Sequence, residues 1–368
     1  MKLHRLTLLA VAASLAFGYA NAQTTVATDP VGFVTVNINP GTATTKRPTF
    51  FSIPLQEAES ITGQVSGALT GVTSNSLVNS NAGWTAGALS VPATPYVVQI
   101  TSGAAAGSIF LIASSANTAG ASGSAGLSNT ATTLFISPLD SARVNLTNIG
   151  VAVSNTYRIF ACDTLGAFFG TPGTTGIRGG SAITNADSIT TIINGGQNNY
   201  WYNTGVTPNR WSKQGPGSVD SANVALVPNY GVVYQKLGTN PLSFTVTGQV
   251  PVTAREASIK NSGLTLLSQY WPTTSTLSAL GLQSLPIWTG GSSVSSADTV
   301  VLTATNGAQS TFWYDPSANS GSGGWRRQGP GNPVTNPVIG IGTAVQIFQR
   351  GSASGYTTLE QALPYNLN

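Results

Sequence analysis

A duplication limits the folds open to this chain more than any other feature of its sequence. In one copy Ala186-Asp187-Ser188 leads through an apolar-alternating stretch to Tyr200-Trp201-Tyr202. Arg210-Trp211-Ser212-Lys213-Gln214-Gly215-Pro216-Gly217 and Val232-Val233-Tyr234-Gln235-Lys236 follow. In the other copy Ala297-Asp298-Thr299 leads to Phe312-Trp313-Tyr314, then Trp325-Arg326-Arg327-Gln328-Gly329-Pro330-Gly331, then Gln346-Ile347-Phe348-Gln349-Arg350. The offsets are 111 for Asp187 and Asp298, 112 for Trp201 and Trp313, and 114 for both Trp211 with Trp325 and Lys236 with Arg350. They grow only across loops, where insertions are tolerated. Each copy reads as strand, turn, strand, Gly-Pro-Gly turn, strand, which is a small meander. A period near 112 residues is too long for a solenoid. The copies are therefore expected as paired subdomains.

Outside the repeat, segments of four to eight residues rich in Val, Ile, Thr and aromatics recur between Gly, Pro and Asn, the signature of strands. Val34, Val36 and Ile38 alternate with Thr35, Asn37 and Asn39, so that strand has one apolar face. Tyr96 to Ile100, Ile109 to Ala113 and Thr133 to Ser137 read as further strands. The glycine- and alanine-rich link from Ser102 to Gly107 suits a hairpin. Helical character is expected only at Leu55 to Ser60, Thr276 to Gly281 and Leu359 to Leu363. The expected fold is all-β, with antiparallel sheets in two or three subdomains. The boundaries are a signal peptide over 1–22, an N-terminal β domain over 23–145, and repeat-bearing subdomains over 146–250 and 251–368. Thr49-Phe50-Phe51-Ser52 faintly echoes Thr265-Leu266-Leu267-Ser268.

The first residues, Met1-Lys2-Leu3-His4-Arg5, precede an apolar run from Leu6 to Phe17 and the small-residue triplet Ala20-Asn21-Ala22. That order predicts a secretory signal peptide cleaved before Gln23. The run is too short to cross a bilayer, which needs about 20 residues. No later apolar run escapes interruption, so no transmembrane segment is expected. The expected location is extracellular, at the cell surface or periplasmic. Cleavage removes His4, the single histidine, and with Lys2 and Arg5 it takes the 15 bases to 13 against 11 acids. With 7 % charged residues there is no basic stripe, and no nucleic-acid role is expected. After cleavage, Gln23 to Asn39 becomes an N-terminal arm. Its alternating strand either joins a sheet of its own chain or adds to a sheet edge of the next copy.

The residue inventory excludes much chemistry. Without histidine in the mature chain there is no Ser-His-Asp triad, no imidazole base and no His-ligated metal. The lone Cys162 lacks the imidazole that would generate a thiolate, and its apolar neighbourhood predicts burial. No phosphate-binding glycine loop with its lysine occurs. No catalytic residue, no metal site and no cofactor are expected. Glu57 and Glu59 read as a solvated turn. Asp187 and Asp298 have matched places in the repeat and read as side chains capping the turn before a strand, in preference to calcium ligands. Trp201, Tyr202, Trp211, Trp313, Tyr314 and Trp325 are the candidate binding residues. Two readings stay open for them. They are aromatics that stack on sugar rings, or core residues covered by Arg210, Lys213, Arg326 and Arg327. Adjacent strand residues point to opposite faces, so Trp201 and Tyr202 do not enter the same core.

Thr28-Asp29-Pro30-Val31-Gly32-Phe33-Val34, the segment Tyr96-Val97-Val98-Gln99-Ile100-Thr101-Ser102-Gly103, and the repeated aromatic and Gly-Pro-Gly pattern resemble secreted proteins of this length from Verrucomicrobia and related bacteria. That resemblance implies export and a shared β-architecture, and no activity. The expected function is a structural or self-assembling cell-surface or extracellular protein. The alternative is a polysaccharide-binding protein that uses the repeat aromatics.

Overall fold

In strands whose apolar residues alternate, one face seeks a core, and seven strands in each half of this protein satisfy that demand in the same way. The computed structural model describes residues 30–57, 63–114, 127–193, 195–216, 219–304 and 306–365. The signal-peptide reading, the Gln23 terminus, Glu59 and Gly217 lie outside these. With 39 % of residues in strands and 8 % in helix, the fold is all-β and its sheets are antiparallel.

The first half begins with β1 (Val31–Ile38) and β2 (Arg47–Phe51) and is completed, much later in the chain, by five more strands. Those are β10 (Ser188–Ile193), β11 (Gly196–Asn203), β12 (Arg210–Lys213), β13 (Val232–Lys236) and β14 (Leu242–Gln249). Five of the seven form one sheet in the order β12-β11-β10-β13-β2, and β1 pairs with β14 as a two-stranded ribbon. The ribbon lays Val36, Ile38, Phe244 and Val246 on a core made by Phe51, Ile189, Tyr200, Trp211 and Tyr234 from the sheet. A short helix, Leu165–Phe169, drives Phe169 into the same core. Its first turn is capped by the Thr164 hydroxyl, which accepts from the Ala167 amide at 3.1 Å.

The second half repeats this plan. It comprises β15 (Arg255–Lys260), β16 (Gly263–Ser268), β18 (Thr299–Thr303), β19 (Gln309–Asp315), β20 (Gly324–Arg327), β22 (Ala344–Gln349) and β23 (Tyr356–Gln361). The sheet order is β16-β22-β18-β19-β20, and β15 pairs with β23. The remaining pair, β17 (Ser275–Thr276) with β21 (Val338–Ile339), flanks this core. Leu359–Leu363, expected as helix, begins in the strand β23 because Leu359 is needed on the core face opposite Ala257.

Strand registers establish the duplication. Tyr202 pairs with Trp211 as Tyr314 pairs with Trp325. The Gln214 amide donates to the Asn199 carbonyl as Gln328 does to Thr311. One sequence match shifts by a residue. Ser188 opposes Gln235 and Thr299 opposes Phe348, so Lys236 corresponds to Gln349 and Leu237 to Arg350. The duplication is also not confined to the second half. Phe51 opposes Val232 as Leu267 opposes Val345, which aligns Thr49-Phe50-Phe51-Ser52 with Thr265-Leu266-Leu267-Ser268.

That alignment exposes an insertion. From Thr49 to Ser188 is 139 residues, whereas from Thr265 to Thr299 is 34. The extra length contains β3 (Ser66–Ala68), β4 (Gly71–Val72), β5 (Ser76–Val78), β6 (Tyr96–Ile100), β7 (Ile109–Leu111), β8 (Thr133–Phe135) and β9 (Thr156–Ala161). They form sheets β3-β9-β6-β7 and β4-β5-β8 around their own core of Leu77, Trp84, Val98, Phe110 and Ile159. The segments expected at 23–145 and 146–250 thus exchange strands: β1 and β2 complete the first repeat unit, and β9 completes the inserted one. The arm strand β1 stays within its own chain, against β14, in the register Val36 to Phe244.

Residues from Val31 onward form one compact unit, and the two repeat units meet across an approximate two-fold. Phe51 bridges to Thr343, and its counterpart Leu267 bridges to Tyr230, the counterpart of Thr343. Ser52 donates to the Gly342 carbonyl at 2.9 Å, and Ser268 donates to Asn229 at 3.2 Å. Phe50, Ile192 and Val233 from one sheet pack here with Leu266 and Ala344 from the other. The approach requires a glycine: a Cβ on Gly231 would lie 2.2 Å from the Ala344 Cβ. Arg255, 1 % exposed, ties the two units by donating to Asn229 of one and the Ser268 carbonyl of the other.

Candidate functional site

The repeat aspartates are structural anchors. Asp298 accepts from the Thr289 and Arg350 amides, both at 2.7 Å. Asp187 does the same with Arg178 and Leu237, at 2.9 and 2.7 Å, and adds the Tyr234 hydroxyl and the Lys236 ammonium. Each carboxylate joins the loop before its strand to the end of the neighbouring strand, so satisfying buried amides. Among the described residues no group of three His, Cys, Asp or Glu side chains gathers to hold a metal.

The six aromatics do not form a common platform. Trp211, Trp313 and Trp325 are buried. Tyr202 and Tyr314 are half-buried and meet Trp211 and Trp325 edge-on, with centroids 5.9 and 5.7 Å apart. Trp201 is half-buried on the opposite face of β11, as alternation demands. The Trp211 indole donates to the Gly170 carbonyl at 2.9 Å. The indole N–H groups of Trp201, Trp313 and Trp325 have no hydrogen-bond partner. Arg326, expected over an indole, directs its Nε to Asp315 at 2.7 Å and Nη1 to the Asn332 carbonyl.

A concavity of about 810 Å³ lies where all three units meet, lined by Pro95 and Leu111 of the inserted unit, by Tyr200 and Val224 of the first repeat unit, and by Leu264 and Tyr356 of the second. That volume is in the usual range for small-ligand sites, which favour such junctions. Its polar wall is built around Arg143, which forms an ion pair with Asp140, donates to the Tyr230 hydroxyl at 2.5 Å and lies over the Tyr230 ring. Asp140 in turn accepts from the Leu111 amide at 2.6 Å. Burial pushes the Tyr230 phenol upward, so it stays protonated. Lys213, Asp220 and Lys260 complete the charged lining. No sequence signal marks Tyr230, Lys260 or Tyr356, since the cavity draws on segments far apart in the chain.

Two other features stand out. Glu57 and Asp163 are the last and first residues on either side of the inserted unit, and their carboxyl groups share a hydrogen bond. Burial, followed by the Glu57 charge and that bond, pushes Asp163 up to about 7. Glu57 is therefore half-buried in a neck and not in a solvated turn. Cys162, adjacent, is buried, and burial raises its thiol well above the ordinary value. The second feature is the β1–β14 ribbon. Among the described residues β14 is the one strand paired with β1, and Val31 and Phe33 on the outer face are 77 % and 75 % exposed. In the second repeat unit the corresponding strand, β15, is covered by the inserted unit: Ser108 bridges to Glu256, and the Glu256 amide donates to Gly107.

Comparison of the chain with protein-family models, with curated proteins and with solved structures returns no match.

Proposed function

We propose that this is an exported structural protein of the cell surface or extracellular space that associates with copies of itself through β1. The observation that carries the reading is the open-edged ribbon with Val31 and Phe33 exposed on it. An unpaired strand edge offers a row of backbone donors and acceptors, and natural proteins usually protect such edges with charge, proline or a covering segment. Here the outer face of β1 carries Val31, Phe33, Thr35 and Asn37, with no charge among them. The matching edge in the second repeat unit is covered, so the uncovered edge is the odd one of an otherwise matched pair. Pairing of β1 with β1 of a second copy joins two ribbons into one sheet and places Phe33 of each copy in the contact.

Sedimentation velocity on the mature chain tests this. The wild type is expected to sediment as an oligomer, and the double variant V31D/F33D as a monomer with an unchanged circular dichroism spectrum. Removing two apolar side chains from each partner withdraws at least about 4 kcal/mol of burial, on the order of a thousandfold in dissociation constant. A wild type that stays monomeric at all concentrations, or a double variant that assembles equally well, defeats the reading.

A further inference from the structure

We infer that the cavity between the three units is a binding site for a neutral saccharide. It stands apart from the self-association reading, since β1 contributes nothing to its lining. The charges narrow the ligand class. Arg143 and Asp140 neutralise each other and are held further by Tyr230 and the Leu111 amide. Lys213 and Asp220 flank one rim, because Asp220 bridges to Ser212, the neighbour of Lys213. Lys260 lies against Gly195 at the hairpin between β10 and β11. Beyond the Arg143–Asp140 pair, the lining is of mixed sign, with Lys213 and Lys260 opposed by Asp220. A hydrocarbon chain strips water from these groups and returns no hydrogen bond, which costs free energy. Sugar hydroxyls both donate and accept, so they satisfy a rim of mixed sign. The remaining lining offers a sugar's C–H faces the half-buried phenol rings of Tyr230 and Tyr356. The site is distinct from the six candidate binding aromatics, since Trp201, Tyr202, Trp211, Trp313, Tyr314 and Trp325 do not line it.

The test uses the mature chain with short neutral gluco-, manno-, xylo- and galacto-oligosaccharides, an oligogalacturonate and dodecanoate. Titration calorimetry and the shift in melting temperature are the readouts. At least one neutral oligosaccharide is expected to bind, and Lys213→Ala and Asn223→Ala, both exposed positions on the lining, to weaken it about tenfold each, the equivalent of one hydrogen bond to a polar or charged group. Circular dichroism on the variants checks that they fold. Binding of dodecanoate alone, of oligogalacturonate alone, or of none of the probes overturns the inference. So does neutral-sugar binding that neither substitution weakens. None of these outcomes bears on whether V31D/F33D dissociates the oligomer.

Discussion

Replacing Asp163 with asparagine is expected to abolish most of the pH dependence of folding between about pH 5 and pH 7. In the neck of the inserted unit this carboxyl is pushed up from its ordinary 3.8 to about 7, by burial, by the charge of Glu57 and by the hydrogen bond with it. The folded value lies above the unfolded one. The contribution of the neck is therefore complete below about pH 4 and is lost as pH rises through about 7. Each pH unit between the two values is worth about 1.4 kcal/mol, so ionising Asp163 in the folded chain costs about 4 kcal/mol. That is a large part of the roughly 5–15 kcal/mol that holds a typical domain folded. Imidazole titration adds little to this, because His4 is the single histidine of the chain. Glu256, also raised mainly by burial, contributes in the same direction. Urea unfolding of the wild type and D163N across this range is the assay. The wild-type midpoint should fall as pH rises while the D163N midpoint stays nearly level, and E57Q should flatten the curve as well. Parallel curves for wild type and D163N refute the reasoning. Local consequences follow from the backbone. The Cys162 amide donates to Pro95 and the Asp163 carbonyl accepts from Leu226, so the neck is bonded directly to the cavity wall.

Gly231→Ala places a methyl 2.2 Å from the Ala344 Cβ and 3.0 Å from the Phe51 carbonyl. It should cost about 1–3 kcal/mol, read as a lower urea midpoint. Gly215→Ala, with nothing near its Cβ, tests a different term, the strain of its φ of 128°. Cys162 is buried and its thiol is raised, so a thiol-directed reagent should label it no faster than the chain unfolds. Rapid stoichiometric labelling of folded protein would show the thiol to be accessible.

Local pattern carried much of the architecture. Alternation in Val34, Val36 and Ile38 predicted the buried face of β1, and the Ser102–Gly107 link predicted the pairing of β6 with β7. The repeat motif predicted that Trp211 and Trp325 occupy matched strands, and the matched aspartates indicated their anchoring role. These features are readable because side-chain periodicity and duplicated motifs act over a few neighbouring residues. Tertiary structure decided the rest. That the echo at Thr49 begins the first repeat unit, and that the chain then leaves for a whole β-unit before returning, shows only in the pairing of β2 with β13. Val36 opposes Phe244 across more than half the chain. No periodicity specifies such a partner. It follows from closing a core with the first and last strands of a unit. The cavity and the Glu57–Asp163 neck arise the same way, from groups without a local signature that meet only after three units have packed. The sequence alone thus determined most of the strands and the matched places of the aromatic strands in the two copies. Folding determined which distant strands and carboxyl groups become neighbours, because burial rewards shape and apolar area at closure irrespective of separation along the chain.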